Sequence, residues 1–381
     1  MNRLRGWLLG LPARGALYFH RTLVARGPAF AGRDGRIETR FVVDAYLTAV
    51  NDLEPAALAA RLDAVPDEFR CFAYEGAGMG LAMLDVFTPW KRTHWAAFLA
   101  GPGRRYSMVL YIGLGLALTR LRLDLGPRLA RLDPLLAWFA VDGSGFHQGF
   151  FSPHRYLVAH GADPRLSAFG HRIFDQGVGR SLWFSVGADV DRVAAMIHGF
   201  PAERQADLWS GIGFASTYAG GRDLRDLRRL VAAAGVHRTW LAQGSSLASM
   251  LRKMAGESVE HTRRACAELC AMPADAAAEL AHNLFQDRLR SGISPGAPAA
   301  AREEIYDGLQ AELRRRLEAG TGTPGVLLGR ATARGRVALT SPESGSWARG
   351  LRTPEPALVP AAKATSSDAT GSRSRVERIR Q

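Results

Sequence analysis

The stretch Asp142–Phe184 contains DGSGFHQGFFSPHRY (142–156) and FGHRIFDQGVGRSLWF (169–184). Two Gln-Gly steps, Gln148-Gly149 and Gln176-Gly177, each sit inside an aromatic and apolar run. Asp142, His147, Asp175 and Arg180 crowd among them. Glycine inside such a run lets two helices approach closely, and a polar neighbour can then meet a buried group on the next turn. That combination predicts helix packed on helix.

Working outward, the same rhythm extends along the chain. Phe41, Val42, Ala45, Tyr46 and Ala49 recur at helical intervals between Glu38 and Val50. Asn51-Asp52 is expected to cap a helix opened by Pro55. Pro66, Pro127, Pro134, Pro201 and Pro273 stand where further helices begin, and Asp189 caps another. Trp90–Ala100 reads as a short amphipathic helix and Ala301–Ala319 as a last, charged one. Almost nothing resembles paired strands, so the expected fold class is all-α. The uncharged run Tyr106–Thr119 is long enough for a buried helix, but at ~21 Å it falls short of a membrane span.

Four segments echo one another: FAYEG (72–76), FHQG (146–149), FDQG (174–177) and LAQG (241–244). The last two carry the echo into a following helix, which suggests stacked helical pseudo-repeats with a unit of about 70 residues. The helical domain is expected over residues 1–320, with 321–381 a disordered basic tail. Residues 331–381 alone carry nine Lys or Arg against four acids. Residues 2–31 form a basic, Trp- and Leu-containing amphipathic segment, expected to pack on the domain or to touch a membrane surface peripherally.

The chain carries 49 Lys and Arg against 36 acids, a formal charge of +13. Only Lys91, Lys253 and Lys363 are lysines, and the arginines scatter at helical spacing. That reads as solvated helix faces, and no nucleic-acid partner is expected. Cys266 and Cys270 stand four apart near His261 and His282. A zinc site and a pair of small buried thiols both fit that spacing, and the thiol reading is preferred for an odd cysteine count without CxxC. The chain lacks a Walker loop and HExxH, so no cofactor or metal follows from motif, and the apolar piece Trp7–Leu11 is too short for an export signal to be expected.

Two readings of the acid-or-amide plus glycine steps stand. In the first they only pack helices, the polar residue satisfying buried backbone. In the second, Glu75, Gln148, Gln176 and Gln243 surround an interior pocket. Tyr74, Phe146, Phe150, Phe151, Trp183, Phe184 and Trp209 would line it for a long apolar or polyunsaturated ligand. Glu75, Asp142, His147, Asp175 and Arg180 are the candidate reactive groups. Asp175 and Arg180 lie about 500° apart on a helix, a poor direct pair. His147, His154, His160 and His171 are the densest histidine set, and an acid–base role needs two of them to converge.

The runs FAYEGAGMGLAMLD, DGSGFHQGFF, FDQGVGRSLWF and ADLWSGIGFASTYAGG resemble the UnbL family, domain of unknown function 1702, over roughly residues 1–320. The resemblance implies a cytoplasmic accessory protein of enediyne polyketide biosynthesis. Such a protein would meet a linear polyene, the polyketide synthase and its thioesterase, and UnbV-like and UnbU-like partners. It carries over no catalytic residue. A non-catalytic polyene-binding or scaffold protein remains the alternative.

The tail reading has a direct test. Deleting residues 331–381 is expected to leave the melting temperature nearly unchanged, because the segment has few apolar groups to bury. A loss of several degrees would show that it docks.

Overall fold

The computed structural model describes residues 33–51, 54–88, 90, 93–290, 292–294 and 296–321. The segment 2–31 and the tail beyond 321, with the expectations placed on them, lie outside the described residues. Among those described there are fifteen α-helices and no strand. The long helices are α1 (Arg33–Asn51), α3 (Asp67–Phe87), α5 (Ser107–Arg120), α7 (Ala137–Phe151), α8 (Ala168–Ser185), α10 (Ala202–Tyr218), α12 (Arg238–Ala255), α14 (Ala274–Arg290) and α15 (Ala299–Thr321). Short elements join them: α2 (Pro55–Asp63), α4 (His94–Ala100), α6 (Gly126–Leu129), a π turn (His154–Val158), α9 (Val190–His198), α11 (Leu224–Ala234) and α13 (Glu260–Leu269).

Local chemistry sets the ends. Asp189 accepts from the Arg192 amide at 3.0 Å, Asp223 from Asp226 at 2.9 Å and Ser167 from Gly170 at 3.0 Å. Each side-chain oxygen accepts from one of the N–H donors that a helix start leaves orphaned. The expected Asn51-Asp52 cap is replaced: α1 runs through Asn51, and Glu54 caps α2 by accepting from Ala57 at 2.6 Å. The Trp90–Ala100 helix starts only at His94, where the Asp85 carboxylate accepts from the His94 and Trp95 amides. The last helix is longer than expected at both ends.

The long helices pack in sequence, α1 on α3, then α5, α7, α8, α10, α12 and α14. What holds them is a repeated Gly-x-Gly step. Residues two apart on a helix point about 200° apart, toward opposite neighbours. Gly113 lies on the Glu75 carbonyl of α3, and Gly115 on the Ala140 carbonyl of α7. Gly143 meets Ile112 behind it and Gly145 meets Phe174 ahead. Gly177 and Gly179 repeat this on Asp142 and Leu208, and Gly211 and Gly213 on Gln176 and Leu241. Gly244 closes the series on Ser210. At each of these sites a Cβ would overlap a neighbouring backbone oxygen.

The first glycines, 76, 113, 143, 177, 211 and 244, recur every 30–37 residues. The repeat is therefore one long helix with its connector, about half the expected 70-residue unit. Of the four echoed segments, FAYEG, FDQG and LAQG sit in this register. FHQG does not: in α7 the equivalent pair is Asp142-Gly143, and Gly149 makes a second contact, on Ser181.

Gly76 and Gly80 meet Val42 and Tyr46 in the same order, as Gly145 and Gly149 meet Phe174 and Ser181. These neighbours therefore run the same way, and the short elements carry the chain back. Of those, α9, α11 and α13 touch one another as a second row. Sandwiched between α3 and α7, α5 is buried all round from Ser107 to Thr119, which explains its unbroken apolarity. No helix among the described residues is long and apolar enough to cross a membrane.

The row curls until its start meets its end. Phe72 of α3 packs on Tyr218 of α10, ring centres 4.3 Å apart. Buried Arg252 of α12 donates to the Asp67 and Glu68 carbonyls of α3, the Tyr218 carbonyl and the Glu257 carboxylate. Cys71 donates to Glu257 at 3.0 Å. Cys266 and Cys270 are buried free thiols.

Gly177→Ala is expected to lower stability by about 1–3 kcal/mol through overpacking. Gly199→Ala, at an exposed helix end with ordinary φ, where a Cβ would meet neighbours only at ordinary contact distance, is the control and should change little. Equal midpoints in urea denaturation for the two variants would refute the interlock.

Candidate functional site

The curl brings four helices to one point, and Arg180 of α8 occupies it with 2% of its surface exposed. Its guanidinium lies between two aromatic faces, 5.1 Å from the Phe146 centroid and 4.8 Å from Phe214. It donates to the Asp142 carboxylate of α7. Its second terminal nitrogen is 3.9 Å from the Glu75 carboxylate of α3. The Tyr218 hydroxyl reaches Glu75 at 3.5 Å. Arg180 Nε is buried with no hydrogen-bond partner among the described residues.

Two carboxyls thus share one cation in an aromatic interior. Burial pushes Glu75 up to about 7, against the pull of Arg180 and with the repulsion of Asp142. Burial also raises Asp142, against its direct bond to Arg180. With Asp142 ionised and Glu75 holding a proton, the centre is electrically neutral. Glu75 can then give or take a proton near neutral pH, beside a fixed positive charge.

A small cavity adjoins this centre. Trp138, Phe139, Asp142, Ile173, Gln176, Ser210, Gly211, Phe214, Gly244, Leu247 and Tyr306 line it. The room for a water centre is about 10 Å³, enough for roughly one water. Helix α15 roofs it through Tyr306.

The structure brings together Glu75, Asp142, Phe146 and Arg180, and places Gln176 on the adjoining wall. Gln176 donates to Asp207 at 3.0 Å and exchanges two amide hydrogen bonds with Gln310, at 3.2 and 3.1 Å. Gln243 donates to Ser210 Oγ at 3.0 Å and accepts from Arg314. The glycines of these steps do pack helix on helix, but neither amide serves buried backbone in these bonds: both glutamines bind side chains of other helices.

The other candidates lie elsewhere. Asp175 pairs with Arg204 of α10 at 2.6 and 2.8 Å, not with Arg180, as the spacing requires. His147 is buried, both ring nitrogens lack a partner among the described residues, and burial lowers it to about 3. The four histidines do not converge: His154 is exposed, His160 packs on Phe200, and His171 contacts the Asp163 carbonyl. Tyr74 stacks on Tyr106 and donates to Asp63. Trp183 and Trp209 are buried in the main core without lining the cavity, and Gln148 is half-buried. Phe150, Phe151 and Phe184 form a separate cluster with Phe146. Among the described residues no group of three or more His, Cys, Asp or Glu could hold a metal ion.

Sequence reasoning missed Trp138, Ser210, Phe214, Tyr218, Tyr306 and Gln310. The Gly-x-Gly register held part of the signal, since Ser210 precedes Gly211 just as Asp142 and Gln176 precede theirs.

A family model matches residues 3–306. The chain belongs to the DUF1702 family. That family is described as one of proteins of unknown function. No curated protein and no solved structure matches the chain. The DUF1702 match contains every member of the Arg180 centre and ends inside α15, at Tyr306.

Glu75 yields a pH test. Its folded pKa stands above the ordinary 4.5, so its contribution to stability is full below 4.5 and is lost as pH rises toward about 7. Glu75→Gln removes that dependence. Relative to the variant, the native chain should lose roughly 3 kcal/mol between pH 4.5 and 7.5. Parallel stability curves for the two proteins, measured by urea denaturation across that window, would refute the raised carboxyl.

Proposed function

We propose that this chain is an accessory protein of enediyne polyketide biosynthesis, acting on a linear polyene intermediate at the Glu75–Asp142–Arg180 centre. The observation that carries the reading is a carboxyl poised near neutrality beside a fixed cation, enclosed by Phe146, Phe214 and Tyr218. The UnbL resemblance of the four sequence runs suggests the pathway. The UnbV-like and UnbU-like partners and the cytoplasmic location belong to the same proposal.

The chemistry suited to such a centre is proton transfer on a conjugated chain. Ionised Glu75 takes a proton from a carbon activated by conjugation to a carbonyl. Arg180 faces the negative charge that develops on the oxygen. Glu75 then returns the proton to a vinylogous carbon, so the double bonds shift and no oxidant is consumed.

A second reading is a non-catalytic polyene-binding or scaffold protein; its scaffold form is favoured by the cavity, which has room for about one water and not for a polyene. The two readings separate in a producing strain carrying Glu75→Gln at native protein level. The catalytic reading expects pathway product to fall at least about tenfold, since general acid–base catalysis ordinarily contributes about 10²–10⁴-fold. Unchanged product would sink it and leave the binding reading standing.

A further inference from the structure

Helix α15 crosses the row of long helices, packing on α8, α12 and α14. It presents two different stripes. Tyr306, Leu309, Leu313 and Leu317 are buried in the main core. Beside them Glu303, Asp307, Gln310 and Arg314, spaced i, i+4, i+7 and i+11, form a polar stripe.

That stripe makes hydrogen bonds to side chains of other helices. Glu303 accepts from Ser167, the cap of α8, at 2.7 Å. Asp307 accepts from Arg172 at 2.8 Å, Gln310 pairs with Gln176, and Arg314 donates to Gln243. Arg314 also lies over Trp240, 5.0 Å from its centre. Water can replace such bonds one by one, whereas it cannot enter the backbone-to-glycine contacts below. The roof is therefore the weakest-held wall of the cavity.

The chain entering α15 is built to turn. Gly292 and Gly296 both have left-handed φ, 86° and 87°, and the Gly296 amide is pinned to the Ala130 carbonyl at 2.9 Å. The family match stops at Tyr306, before Asp307, Gln310 and Arg314.

We infer that α15 is a strap whose lift off α8 opens the cavity into a groove for an elongated apolar molecule with a hydrogen-bonding end. Leu309, Leu313 and Leu317 keep the helix on α12 and α14, while Tyr306 leaves its ring contacts with Trp138 and Phe169 as the polar stripe parts from α8. The opened groove presents Trp138, Ile173, Phe214 and Leu247 to the apolar body, and Gln176 and Ser210 to the polar end. This rests on the reading of the interior as a ligand site, and it supplies the entry that a one-water cavity requires.

The test uses the full purified chain and parinaric acid, a conjugated tetraene fatty acid that fluoresces when bound in apolar surroundings. In the native chain, saturating probe should raise amide hydrogen exchange in residues 299–321 severalfold. Glu303→Lys with Asp307→Lys, two rim changes facing Ser167 and Arg172, should raise that exchange without probe. The same pair should tighten probe binding at least fivefold. Leu247→Trp, added to the pair, should abolish the gain by filling the groove.

Probe binding that leaves exchange in 299–321 unchanged overturns the proposal, as does no binding by the native chain. A charge pair that fails to loosen α15, or loosens it without tightening uptake, overturns it too. So does uptake indifferent to Leu247→Trp. Uptake by the purified chain is read apart from product formation in a strain, so the strap and the pathway role can fail separately.

Discussion

The structure depends on backbone meeting backbone. At the Gly-x-Gly steps one helix lies against the carbonyls of the next with no side chain between, so the contact admits almost no variation in spacing. Because the two glycines of a step face opposite ways, each long helix is held from both sides. The interlock is thus propagated from α3 to α12 by one local feature repeated about every 34 residues. Such contact gives dispersion and close packing, and it leaves no room for the alternative side-chain arrangements that loosen ordinary helical cores.

That stack has an electrostatic consequence. Once it curls, the residue before the first glycine of a step tends to face the interior: Glu75, Asp142, Gln176, Ser210 and Gln243 are all buried. Charged groups there must find partners, because an isolated charge in such surroundings is costly. Arg180 meets two carboxyls and two aromatic faces, and Arg252 meets Glu257 and three carbonyls. The imbalance differs between the two. At Arg180 a second carboxyl is left over, and its proton becomes exchangeable near neutrality. A structural ion pair needs no such surplus, which is the physical reason for placing chemistry at Arg180.

The interior also separates into walls of unlike strength. The glycine interlocks exclude water, while the α15 face is a line of amides, a carboxylate and arginines that water can solvate. Gln176 and Gln243 belong to both. Each precedes an interlocking glycine, and each bonds a side chain of α15. They couple the rigid row to its roof.

Much of this was legible in the sequence. Apolar periodicity, helix-starting prolines and the Asp189 cap determine an all-α chain, because those signals act within a few residues of one another. Glycine beside an amide in an apolar run marks close approach and a buried polar group, which is why Glu75, Asp142 and Arg180 stood out. The length of the repeat is not legible in the sequence because FHQG imitates the motif six residues late, and only contact with Ile112 shows that Gly143 holds the register. Tertiary structure alone decided the partners. Arg180 lies five residues from Asp175 yet bonds Asp142, 38 residues away, and Gln176 bonds Gln310, 134 residues away. Local pattern specifies which face of a helix is buried. Which charge waits on the opposite face depends on the curl of the whole row, a sum of small rotations that no single segment encodes.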